Sequence, residues 1–204
     1  MTIFRRLFGP SKKEIWNQLA TEIEGKFTAG TWGGRTDRVE ATHDLWTVTL
    51  DTFAVHTGKA TIIFTRLRAP FVNPSGFRFK VERRNVFSDV AKWFGAQDVT
   101  VGYEPFDHDF VIKGTDERLL RELFADALLR ELLEKQPKVR FSVKDDEGWF
   151  AKKFPEGVDE LCYEAVGIIK DIERLKALYD LFAETLDQLC RIGSASHDGP
   201  NLKL

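Results

Sequence analysis

The sequence predicts an α+β fold: a mostly antiparallel sheet with N-terminal, central and C-terminal helices. Three observations carry that expectation. Apolar residues recur with period two in some stretches and near 3.6 in others, and the strand-like stretches arrive in runs rather than singly between helices, which disfavours a doubly wound parallel sheet. Of the 204 residues 43% are hydrophobic, enough to fill a sizeable core and to exclude disorder throughout. No apolar run approaches the roughly 20 residues that span a bilayer, so these stretches must bury against one another.

In chain order, Ser11-Lys12-Lys13-Glu14 has capping-box spacing and Ile15, Leu19, Ile23 and Phe27 follow at intervals of four, which predicts a helix over about 11 to 29. Gly30 to Arg38, with its paired glycines 33 and 34, reads as a linker. Trp46, Val48 and Leu50 alternate with Thr47, Thr49 and Asp51, as in a half-buried strand. Residues 60–67 and 77–83 read as the two strands of a hairpin with a long loop containing Pro70, Pro74 and Gly76. A short helix is expected over 86–94, across the sheet, and short strands at 98–103 and 110–113 flank a turn at Pro105. Thr115 or Asp116 caps a helix whose stripe of Leu119, Leu120, Leu123, Phe124, Ala127, Leu128 and Leu132 runs on toward Pro137. Strands are expected at 139–144, 149–154 and 158–166, and the last helix over about 170–192, stopped by Gly193. The organisation is therefore an N-terminal segment and helix (1–30), an α+β domain (31–193) and a polar tail (194–204). Within the domain, 38–94 and 98–192 each run strands first and helix last, which allows two similar lobes.

Thirty Lys and Arg against 32 Asp and Glu give a formal charge of −2, so nucleic acid is not an expected partner of the chain as a whole. Cys162 and Cys190 lack the paired spacing of a disulfide scaffold or a thiolate zinc site; each reads as a small core side chain, and a reducing, cytoplasmic setting fits. Met1 to Gly9 contains Arg5 and Arg6 but no apolar signal core, and its short amphipathic pattern is expected to dock on the domain.

Acid/base chemistry requires titratable groups gathered together, and the densest local cluster is Asp107, His108 and Asp109, between Phe106 and Phe110. On a strand the two aspartates would share a face and the histidine would point away, so a capped turn anchored by two buried phenylalanines is the plainer expectation, with His108 accessible. His43, His56, His108 and His197 form no i, i+4 pair, so a metal site would have to assemble from distant parts of the chain, and none is expected. The nucleophile elbow, dinucleotide fingerprint and P-loop are all missing, and no cofactor is predicted. Asp145-Asp146-Glu147 lacks a calcium-loop pattern and reads as an acidic turn.

Charge is distributed unevenly. Residues 60–84 carry a net +5 and residues 98–134 a net −6. If the hairpin forms, Arg66 and Arg68 on one strand and Arg78 and Lys80 on the other share a face, with Phe71 and Val72 at the loop tip. This face predicts a contact with an acidic protein surface or another polyanion, or self-association.

The stretches Thr65 to Phe71, Gln97 to Gly102 and Phe106 to Gly114, in that order, resemble a group of uncharacterised bacterial proteins over about residues 38–192. The resemblance implies a bacterial cytosolic origin and carries no activity or cofactor with it. The leading expectation is thus a non-catalytic cytoplasmic interaction module using Arg66, Arg68, Phe71, Arg78 and Lys80. The alternative is a hydrolase-type enzyme using Asp107, His108 and Asp109.

Overall fold

The capping box closes as its spacing requires: the Ser11 side chain accepts from the Glu14 amide and the Glu14 carboxylate accepts from the Ser11 amide, starting α1 (Lys12–Glu22). In this computed structural model, which describes residues 9–31, 36–84, 98–145 and 154–200, α1 stops well short of the expected position 29. Glu24 enters the left-handed region at φ 53°, and a Cβ on Gly25 would stand 2.7 Å from the Glu40 carbonyl oxygen. The chain therefore turns there, and Phe27 lies on strand β1 (Lys26–Thr28) opposite Val39 of β2 (Arg38–His43).

A two-residue turn, Asp44-Leu45, leads into β3 (Trp46–His56), and β3 pairs in turn with β4 (Thr61–Val72). The expected hairpin between 60–67 and 77–83 does not exist. β4 pairs with β8 (Val158–Val166), whereas β5 (Phe79–Arg83) lies between β7 (Arg140–Lys144) and β6 (Phe110–Gly114). Pro70 is accommodated inside β4 because β3 pairs only as far as Arg68. The loop after it is tied down by Asn73, whose side chain donates to the Phe77 carbonyl at 2.9 Å and to Asp159 at 2.6 Å. All pairings are antiparallel, giving one eight-stranded sheet in the order β1-β2-β3-β4-β8-β7-β5-β6. The stretches 38–94 and 98–192 are thereby joined through a common sheet.

The predicted turn at Pro105 is a short helix, α2 (Glu104–Asp109), and residues 98–103 approach β6 through the bond from the Val99 amide to the Ile112 carbonyl. The single helix expected after Asp116 is two, α3 (Glu117–Leu123) and α4 (Ala127–Glu134), because Asp126 caps a new start at the Leu129 amide. The last helix, α5 (Ile172–Arg191), is capped by Asp171. Inward side chains of α1, α3, α4 and α5, including Trp16, Leu120, Leu133, Leu178 and Phe182, form one buried cluster with Val48, Leu67, Phe79, Phe141, Leu161 and Tyr163 of the sheet. Polar side chains occupy the other sheet face. The start of the expected tail is docked: Ser194 and Ala195 are buried, and the Ser196 amide donates to the Val72 carbonyl. The expected helix at 86–94, most of the strand at 149–154 and the segment 1–8 lie outside the described residues.

Candidate functional site

Period-two alternation puts Asp51 of β3, Arg66 and Arg68 of β4, Glu160, Cys162 and Glu164 of β8, Arg140 and Lys144 of β7, and Lys80 and Glu82 of β5 on the polar face. This is where the predicted cationic surface is corrected. Arg66 makes a bidentate contact with Asp51, both bonds at 3.0 Å, and Arg68 reaches the same carboxylate at 2.7 Å and Glu160 at 3.7 Å. Lys80 lies 3.0 Å from Glu82, and Arg78 grips Asp159 at 3.2 Å and Asp145 at 2.8 Å. Phe71, expected at a loop tip, is fully buried within β4. The four cations are thus interleaved with the carboxylates of Asp51, Glu82, Asp145, Asp159 and Glu160, so among the described residues they leave no open cationic patch. Sequence distance concealed the Asp159 partner of Arg78, 81 residues away, whereas Asp51 lies only 15 residues from Arg66 on the adjoining strand.

The lattice also sets proton affinities. Burial alone would raise the Glu164 carboxyl, but Lys144 at 2.8 Å, with Arg140 and Arg66, holds it below the ordinary range. Lys144, for which burial works the other way, is raised by the Glu164 carboxylate at 2.8 Å. Cys162 is buried, as expected of a small core side chain, but on the polar face of the sheet; its sulfur lies 3.5 Å from the Lys144 amine. Burial still pushes the thiol strongly upward, which keeps it protonated and makes it a poor nucleophile.

Asp107, His108 and Asp109 are adjacent on α2 but act as the turn expectation has it. The Asp107 carboxylate accepts the amides of Val101, Gly102 and Tyr103 at 2.8 to 3.0 Å. Asp109 pairs with Arg83 at 3.1 Å, and Arg84 donates to the carbonyls of Asp107, His108 and Phe110. Phe106 and Phe110 are buried, and the His108 side chain is 85% exposed.

Two arrangements escaped sequence reasoning. The ends of β3 and β4 project past their neighbours as a ribbon: β2 pairs with β3 only up to Leu50 and β8 with β4 only down to Phe64. Its one face carries Phe53 stacked on Phe64 with ring centres 5.0 Å apart, together with exposed Val55, Ile62 and Val166. Ile63 and Ile168 are exposed as well. Phe53 and Val55 alternate on β3, as Ile62 and Phe64 do on β4, but only the pairing of the two strands shows that Val55 and Ile62 meet on one face and remain exposed.

At the other end of β3, His43, Asp44 and Asp187 converge. Their ligand-type atoms all lie within 4.8 Å of one another, with His43 Nε2 3.0 Å from Asp187 Oδ1. The His43 ring stacks on buried Trp46 at 6.2 Å. Cys190, one turn beyond Asp187, has its thiol raised by burial and then by Asp187 and Asp44. A groove of about 630 Å³ is lined by residues of β1, β2 and β3, where Arg38 lies 3.6 Å from Glu40 and Lys26 stands near Glu24 in the chain.

No family model, no curated protein and no solved structure matches the chain. No helix among the described residues is long and apolar enough to cross a membrane.

Proposed function

We propose that this chain is a non-catalytic interaction module that self-associates through the projecting β3–β4 ribbon, two copies pairing β3 with β3. The observation that carries the reading is the ribbon's combination of an exposed apolar face and an unpaired edge. From Asp51 to His56, β3 is paired on one side only among the described residues, and residues 53–64 contain one lysine, Lys59, and no carboxylate. Beyond Asp51, from Thr52 to His56, the edge has neither proline nor a carboxylate, lysine or arginine, and such an edge accepts a further strand. Because recognition there is by backbone bonds and apolar contact, and antiparallel pairing is self-complementary, a second copy related by a two-fold axis fits it. The compensated lattice argues against the alternative in which Arg66, Arg68, Arg78 and Lys80 bind a polyanion, and the occupied oxygens of Asp107 argue against the hydrolase. A cytoplasmic, bacterial setting belongs to the same proposal, on the strength of the cysteine usage and the resemblance.

Sedimentation of the full chain over a wide concentration range tests it. The wild type is expected to pass from monomer to dimer, and Val55→Lys with Ile62→Lys, both at exposed positions, to remain monomeric with an unchanged circular dichroism spectrum. A wild type monomeric throughout, or a variant that dimerises equally, overturns the reading.

A further inference from the structure

We propose that His43, Asp44 and Asp187 form a binding site for a divalent first-row transition ion, with one imidazole nitrogen and two carboxylate oxygens as protein donors and water completing the shell. Three independent observations lead there. The first is spacing. Metal–nitrogen and metal–oxygen bonds of about 2.0–2.2 Å place neighbouring donors about 3–3.5 Å apart. The 3.0 Å between His43 Nε2 and Asp187 Oδ1 already has that value, and Asp44, exposed in a two-residue turn, has room to bring its oxygen in from within 4.8 Å.

The second is charge. Elsewhere on the sheet each clustered carboxylate, whether Asp51, Glu82 or Glu164, touches a lysine or arginine. No described lysine or arginine forms an ion pair with Asp44 or Asp187, which have only His43 between them. Asp187 also stands one turn from the C-terminus of α5, where the helix dipole disfavours an anion and favours a cation. Two carboxylates with an imidazole nitrogen as the third donor together match a dication.

The third is preorganisation. His43 ends β2, its ring is held against Trp46, and Asp187 is on a twenty-residue helix between buried Leu186 and Gln188. Two of three donors are therefore fixed before the ion arrives, which reduces the ordering cost of binding. The mixture of imidazole and carboxylate suits zinc, cobalt, nickel or manganese better than calcium, which takes six to eight oxygens. The site lies at the opposite end of β3 from the projecting ribbon, so it does not depend on self-association.

The test is equilibrium dialysis and calorimetry of the full chain with Zn²⁺ alone, with Ca²⁺ as the contrasting ion, and NMR line broadening by Mn²⁺ to locate the site. One zinc per chain is expected, with a raised thermal midpoint and broadening confined to residues near 43, 44 and 187. His43→Ala should weaken binding by more than the roughly tenfold to hundredfold that loss of a mere outer partner causes, and Asp187→Asn by a comparable factor. His108→Ala, at an exposed histidine elsewhere, should leave binding unchanged. Failure to bind zinc, calcium binding as tight as zinc binding, or equal affinity in His43→Ala and wild type would each overturn the assignment. Should His43→Ala fail to fold, the folded Asp187→Asn variant and the Mn²⁺ broadening pattern decide it.

Discussion

Asp51 holds two guanidiniums with one carboxylate, so losing its charge takes that partner from both at once on the polar face. Replacing it by asparagine conserves shape while taking away the charge that both Arg66 and Arg68 touch, and breaking such a buried pair costs about 3–5 kcal/mol. Chemical denaturation should register that loss; an unchanged midpoint would mean that other carboxylates take over the compensation. Asp107 is a second such residue on a smaller scale. Asp107→Ala releases three backbone amides and is expected to destabilise by about 1–3 kcal/mol, whereas His108→Ala, in water, should stay within about 0.5 kcal/mol. Equal effects of the two substitutions in thermal melts would contradict this division of roles.

At the scale of elements, α5 is the principal structural helix, with Leu175, Leu178, Phe182, Leu186 and Leu189 buried against the sheet and the other helices. Truncating Leu186 to alanine removes most of a buried side chain and leaves a cavity, at a cost of about 2–5 kcal/mol, measurable as a shifted denaturant midpoint with unchanged slope. Helix α5 and strand β8 were legible in the sequence almost to the residue, α5 because it has a long apolar period and a clear stop at Gly193. The end of α1 was not, since Phe27 continues a four-residue spacing that the close approach of Gly25 to Glu40 cuts off. Nor was the break at Asp126, where a capping aspartate sits inside an otherwise continuous apolar stripe. The compensation of Arg66, Arg68 and Arg78 was not legible for a different reason: alternation tells which face a cation occupies, but which carboxylate meets it is decided by strand pairing, with Asp51 15 residues from Arg66 and Asp159 81 from Arg78. The same blindness hid His43 and Asp187, 144 residues apart.

For the molecule as a whole, the ion-pair lattice implies a pH window. Glu164 is depressed below its ordinary value of 4.5, so its contribution is present above that value and disappears as pH falls through the folded one. Lys144 is raised above 10.5, so its contribution is present below that value and disappears as pH rises through the folded one. Thermal midpoints should therefore form a plateau between these limits and fall on both sides; a midpoint that rises on acidification below 4.5 would contradict the assignment. The strand order has a consequence for how the molecule is made. β8, near the C-terminal end, is the strip that joins β4 to β7. Until residues 158–166 leave the ribosome, β1–β4 and β5–β7 are two unfinished half-sheets, with Arg66, Arg68 and Leu67 along an open seam. The nascent chain must wait for residues 158–166 before either half can close, which predicts slow, late folding of the kind that non-local pairing imposes, and a need for chaperone protection while the seam is open.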